Sequence, residues 1–196
     1  MNIALVTISD RGDLYLPRML ASFDKWVQIP TGGWSAEIHV DDHEHALGMA
    51  GAVRDAWGRL PKDTDYVFHV EEDWLFLRNV PVEAMCRTLE QNAHLAQLVL
   101  KRGPWSPEEH AAGGIIEQHP DEYEDTPGWV EHSRIFSLNP CVYPYWITQR
   151  RWPDTNEAGF TEKMVKEGMR FAFWGSRCED PYIEHIGVVR GSGWHL

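Results

Sequence analysis

Basic residues are in short supply in this chain. Its 18 Lys and Arg stand against 30 Asp and Glu, giving a net charge of −12. Nonspecific binding to nucleic acid or to a membrane surface needs basic patches, so the balance argues against both. It leaves nucleotides open, because a bound metal ion carries positive charge to a phosphate locally. Cysteine is scarce as well: Cys86, Cys141 and Cys178 are scattered without CxxC spacing. They read as reduced, intracellular thiols rather than a disulfide or zinc framework. No apolar run is long enough to span a membrane, and the first residues read as a strand rather than a signal peptide. The expected location is therefore the cytoplasm. There are no internal repeats and no low-complexity linker, so the 196 residues read as a single domain, long enough to bury a core without staples.

Tryptophan, by contrast, is abundant, at ten residues, most of them outside the expected strands. Such side chains often build sites where a flat ligand or a sugar ring stacks.

Residues 3–8 predict a buried strand ending in Ser9, Asp10, Arg11 and Gly12. Leu16, Leu20 and Phe23 lie at helical spacing within a helix expected over 14–26, with Pro17 in its first turn. A short strand follows over 36–40, ending in Asp41 and Asp42. A second helix is expected over 47–60, broken by Pro61 before a strand that begins near Tyr66. This alternation of strand and helix implies a parallel sheet with right-handed crossovers. Further on, the pattern predicts a helix over 82–93 and a strand over 95–100. A stretch rich in Gly, Pro, His and acids then runs from 102 to 132, a length of loop that is usually functional. A strand over 135–138, a helix over 157–168 and a strand over 171–174 complete the reading.

The segment from Tyr66 to Trp74 carries the chemistry. A strand of apolar and aromatic residues ends abruptly in Glu71, Glu72 and Asp73. Carboxylates at the end of a buried strand are costly unless a cation sits among them. The usual partner is a hard divalent metal, Mg²⁺ or Mn²⁺, which prefers oxygen ligands and often brings phosphate with it. In an open α/β sheet the carboxyl ends of the strands are also where ligands bind. A solvated acidic turn is the competing explanation of the same residues.

The order of these motifs resembles the small GT-A-type glycosyltransferases of the family-two kind, of the sort encoded by actinobacterial phages. Four segments carry the likeness. Thr7 to Arg11 closes the first strand, where the family contacts the nucleotide. Asp41 and Asp42 close the second, where an acid meets the base or ribose. Gly48, Gly51, Arg54 and Asp55, followed by Asp65 through Asp73, are similar to the family's G-x-x-x-A-R-N helix and its strand into a DxD metal motif. Asn156 and Glu157 at a helix start, followed by Gly168, are similar to the acidic pair that supplies the base. There are departures: the metal motif is Glu71-Glu72-Asp73 rather than Asp-x-Asp, and Asp55 stands where Asn is usual.

The resemblance implies an α/β fold with a GT-A-like, Rossmann-like, mostly parallel central sheet flanked by helices, and a long irregular loop at about 102–134. Residues 1–100 would form a nucleotide-binding half and 101–196 an acceptor-binding half. The implied activity is transfer of a sugar, with a hexose expected, from a nucleotide diphosphate sugar to an acceptor hydroxyl. It would depend on Mn²⁺ or Mg²⁺ and invert by direct displacement. Asp73 and Glu71 are the expected metal ligands, with His185 as the distant one. Glu72, on an extended segment, would point to the opposite face from that pair and join Thr7, Ser9, Arg11, Asp41 and Arg54 toward the nucleotide. Glu157 is the expected base, with Asp154 and Glu162 as rivals. Trp74 is a candidate wall of the sugar site; Trp105, Trp129 and Trp146 are candidate acceptor contacts, and Arg150-Arg151 a candidate phosphate clamp. The acceptor class stays open between glycan and protein, phage structural proteins included, with no nucleic acid and no membrane span. A nucleotidyltransferase and a non-catalytic carbohydrate-binding protein are the alternative functions.

Overall fold

A computed structural model describes residues 1–10, 12–42, 47–103, 116, 119–152 and 157–187, with no side-chain description at 12 and 13. Arg11, Trp105, Asp154, Asn156 and the 190–193 segment lie outside the described residues.

The chain builds three layers. Strands β1 (Ile3–Ser9), β2 (Ala36–Asp41) and β3 (Tyr66–Glu71) pair in parallel, with β1 in the middle. They extend into an eight-stranded sheet through β9 (Cys141–Pro144), β5 (Leu95–Leu100), β10 (Arg170–Trp174), β8 (Trp129–His132) and β7 (Tyr123–Thr126), in that spatial order. Six of these eight strands point the same way; β9 and β8 run against them. A small second sheet sets β11 (Ile183–His185) between β4 (Trp74–Phe76) and β6 (Arg102–Gly103).

Strand alternation divides the core into two faces. On one, Ala4, Val6, Ile8, Val67 and Tyr143 meet α2 (Gly48–Arg59), through Ala52, Val53, Ala56 and Trp57, and α4 (Glu157–Lys166), through Phe160 and Met164. On the other, Ile3, Phe68, Val70 and Val142 meet α1 (Gly12–Trp26), α3 (Val82–Gln91) and the small sheet. Alternation of strand side chains between the two sheet faces, and the 3.6-residue period of the helices, are what make this layering possible. Strand β5 is buried at every position, as expected of a strand covered on both faces.

Three expectations need correction. The 102–134 stretch is not all loop, because β7 and β8 form a hairpin at the sheet edge. Residues 135–138 form no strand; the strand in this region is β9, over Cys141–Pro144. The reason is that three successive amides of the 135–138 segment bond to side chains instead of a ladder: Phe136 to Thr161, Ser137 to Gln97 and Leu138 to Glu157. Helix α1 begins at Gly12, so Pro17 is its sixth residue rather than part of its first turn.

Candidate active site

The parallel trio β1, β2 and β3 ends at one edge, and the acidic residues collect there. β3 delivers Glu71 on its last position. The next amide, that of Glu72, donates to the Ile8 carbonyl at the end of β1 (3.1 Å), which holds the acidic turn against the sheet. Glu72 and Asp73 are both buried. The chain then enters β4, and the antiparallel register of β4 with β11 sets His185 opposite Trp74. As a result Nε2 of His185 lies 3.1 Å from Oδ2 of Asp73. The Asp73 carbonyl accepts the Ile186 amide at 2.8 Å. A Cβ at Gly187 would collide with both the Asp73 carboxylate and the His185 ring, so any larger residue here would require those side chains to shift.

Glu157, the first residue of α4, joins the same acidic field from the other side of the chain. Glu71 is held well above the usual carboxylate range, first by burial and then by the charges of Asp73, Glu157 and Glu72. One carboxylate oxygen of Glu71 receives the Trp74 indole N–H at 3.5 Å, and its other oxygen is enclosed with no hydrogen-bond partner among the described residues. Glu157 is raised from 4.5 to about 7, chiefly by burial; the Leu138 N–H and the Arg102 charge work in the opposite direction. The Leu138 amide donates to Oε1 of Glu157 at 2.6 Å. A carboxylate poised near neutrality is suited to accept a proton in turnover.

Trp74 is buried beneath this cluster. Its ring lies 4.8 Å from the His185 ring and 4.6 Å from the Arg102 guanidinium. It forms a wall under the site instead of an exposed sugar platform. Arg102 is the cation that sequence reasoning missed. Its position, just past the carboxyl end of the wholly buried strand β5, is the signal that marks it.

A divalent cation fits this arrangement. The facing ligand atoms of Asp73 and His185 are 3.1 Å apart, close to the roughly 3 Å between neighbouring ligands of an octahedral ion with bonds of about 2.1 Å. Among the described residues no group of three or more His, Cys, Asp or Glu side chains closes into a metal cage. An incomplete protein shell is ordinary for Mg²⁺-type ions, which take remaining ligands from water and substrate phosphate.

The expected nucleotide contacts are distributed as follows. Thr7 and Ser9 share one face of β1, and the buried Ser9 hydroxyl lies 2.7 Å from Nε2 of His39 on β2. Asp41 closes β2, partnered in register with Ser9. Its neighbour Asp42 is buried and accepts the Leu47 amide at 2.6 Å, anchoring the entry into α2. Arg54 is exposed on α2. Asp55, which replaces the family's Asn, pairs with Arg59 one turn on, at 2.5 Å.

Other candidates fall away from the site. Glu162 is exposed on α4 and pairs with Lys166 at 3.1 Å. Trp146 follows β9, whose end pairs with the start of β3, so it stands at the opposite edge of the sheet from Glu71. Arg150 lies over Trp146 and pairs with Glu167 at 3.1 Å beyond the end of α4, away from Glu157. It does not face the diphosphate side as a clamp would. Trp129 is on β8, separated from β9 by two strands, so it forms no joint platform with Trp146.

No family model and no curated protein matches this sequence. Solved structures do match. Residues 1–349 of S. aureus TarS in complex with UDP-GlcNAc superimpose with a TM-score of 0.62 and 12% identity, over 98% of this chain and 60% of that one. The same TarS segment in complex with UDP gives 0.56 and 11% identity, over 94% and 60%. A longer TarS structure gives 0.53 and 11%, over 94% of this chain and 36% of that one. The chain thus spans less than two thirds of these neighbours. The likeness shows the fold, a GT-A-like, Rossmann-like α/β architecture.

Proposed function

We propose that this chain is a nucleotide-sugar glycosyltransferase, dependent on a divalent metal and inverting by direct displacement, with a hexose as the transferred sugar. The observation that carries the reading is the convergence of Glu71, Glu72, Asp73, His185 and Glu157 at the carboxyl edge of a GT-A-type sheet. TarS structures with UDP and UDP-GlcNAc bound lend support to the donor class. In this reading residues 1–100 serve the nucleotide and residues 101–196 the acceptor.

Asp73 and His185, with Glu71, would hold Mn²⁺ or Mg²⁺, which when bound neutralises the diphosphate as it leaves. Thr7, Ser9, Arg11, Asp41, Arg54 and Glu72 would line the nucleotide side. Glu157 acts as the base. Its carboxylate takes the proton of the acceptor hydroxyl while that oxygen attacks C1 from the face opposite the diphosphate. The C1–O bond to phosphate breaks, and the nucleoside diphosphate departs with the electron pair. The Leu138 N–H keeps Glu157 oriented and favours its ionised form before the proton arrives. Burial works the other way, raising its proton affinity to a level where the exchange is close to balanced.

The test is a thermal-shift panel of UDP, GDP, CDP and dTDP, each with Mn²⁺, Mg²⁺ or EDTA. A ligand that binds only the folded state raises the melting temperature by mass action. Stabilisation by one nucleotide that disappears with EDTA is the expected result. Absence of a shift with every nucleotide and metal would sink the proposal.

A further inference from the structure

We propose that Gln97 is a positioning residue for the base, acting through the 136–138 segment; the inference rests on the role given to Glu157 above. Gln97 is the one polar residue in the six-residue, wholly buried strand Leu95–Leu100. An amide in such a place is costly unless its polar atoms are bonded. Here they are. Oε1 accepts the Ser137 amide at 2.9 Å, while Nε2 donates to the Ser137 carbonyl and also to Sγ of Cys141 at 3.1 Å. One side chain therefore grips Ser137 by both its N–H and its C=O.

This grip substitutes for a sheet ladder that the segment does not have. On one side of Ser137, the Phe136 amide donates to the Thr161 hydroxyl at 2.8 Å, and that hydroxyl donates to the Glu157 carbonyl at 2.7 Å. On the other side, the Leu138 amide donates to the Glu157 carboxylate at 2.6 Å. The first turn of α4 is thus tied to the segment at its backbone and at its reactive oxygen. Gln97 touches neither the base nor the place where substrate would sit. What it fixes is the direction of the Leu138 N–H, which bonds the base. Leu or Met would fill the same volume in β5, so packing by itself does not require glutamine here.

The experiment compares Gln97→Met, Thr161→Val and Glu157→Gln with the unmodified chain. Nucleoside diphosphate release from UDP-, GDP-, CDP- and dTDP-sugars is followed with Mn²⁺ and with water as acceptor, well below each melting temperature. Misplacing a reacting group by an ångström costs up to about 100-fold. Gln97→Met is expected to lower kcat about 10- to 100-fold with donor KM changed less than about twofold, and Thr161→Val to show the same split should Gln97→Met not fold. An unchanged kcat, or a loss confined to KM, overturns the inference. A crystal structure of Gln97→Met supplies a readout independent of turnover: the contact from the Leu138 amide to Glu157 should be broken, and its persistence counts against the proposal. If Glu157→Gln keeps full kcat, the assignment of the base is wrong. If Glu157→Gln is inactive while both supporting variants keep kcat, only the positioning role is wrong.

Discussion

Asp73 and His185 lie 112 positions apart in sequence, yet the Asp73 carboxylate and the His185 imidazole meet at 3.1 Å. The contact is made by strand pairing: β4 follows Asp73 directly, and β11 pairs with β4 so that His185 faces Trp74. Nothing local to either residue would bring them together. The contact is a hydrogen-bonded pair, and its spacing is compatible with the divalent ion proposed above.

Asp73→Asn and His185→Ala are each expected to weaken metal binding by at least about tenfold, with the fold retained. The measurement is the Mn²⁺-dependent rise in melting temperature with nucleotide present. Equal shifts in variants and unmodified protein would remove the pair from the metal site.

Gly187→Ala should damage the same site without replacing either proposed ligand. Its Cβ would collide with the Asp73 carboxylate and the His185 ring, forcing the two apart at a cost of about 1–3 kcal/mol. Chemical denaturation should register that loss, and the Mn²⁺-dependent shift should shrink with it. Unaltered stability and metal response would mean the crowding is relieved elsewhere.

Glu157 gives both a rate and a stability signature. With its pKa at about 7, the base form is lost on acidification, so kcat/KM should fall as pH drops below about 7. Glu157→Gln should reduce kcat by about 10²- to 10⁴-fold while nucleotide binding persists. For stability the sign is reversed. The folded state holds this proton more tightly than the unfolded chain, so between 4.5 and about 7 stability falls as pH rises. Above pH 7 Glu157→Gln should therefore be more stable than the unmodified protein, on the order of 2 kcal/mol given the partial exposure of the group. Denaturant melts at pH 5 and pH 8 check this; an equal difference at the two values would refute it.

His69 and His132 oppose that trend. Burial lowers each from 6.5 to about 3, so the unfolded chain binds protons that the folded chain refuses. Stability should be lost as pH falls through 6.5 toward 3, with a slope of about 1.4 kcal/mol per pH unit for each histidine. Neither ring nitrogen of His69 has a hydrogen-bond partner among the described residues. His69→Leu should accordingly leave stability at pH 8 nearly unchanged and remove one histidine's share of the acid slope. Urea titrations across pH 4 to 8 would show it, and an unchanged slope would contradict it.

Trp152 tests the α2–α4 side of the core. It is fully buried, 4.9 Å from the Phe160 ring in a stacked arrangement and 5.6 Å from Trp57 edge-on. Trp152→Ala should cost about 3–5 kcal/mol in denaturant unfolding. A cost below about 1 kcal/mol would mean the aromatic cluster closes over the gap.

The sequence by itself determined the elements whose own pattern is strong. The apolar runs of β1, β3 and β5, the helical spacing of α1 to α4 and the abrupt acidic end of β3 are local properties, dictated by what each segment must bury. The candidate acids Glu71, Glu72, Asp73 and Glu157 are legible as residues at segment ends, although a solvated turn or a helix dipole would place acids there as well. What only the tertiary structure decided depends on pairing between distant segments. The run over 135–138 has the composition of a strand, but Gln97, Thr161 and Glu157 satisfy its amides, so it never joins the sheet. The 102–134 stretch carries a hairpin because β8 finds an antiparallel partner in β10. Arg102 acquires its place over the Trp74 ring through the pairing of β6 with β11, and Trp146 loses its expected place because β9 runs against its neighbours. Composition and periodicity record what a segment buries. They do not record which distant strand it will lie beside, and the separation of Asp73 from His185 is set by that choice.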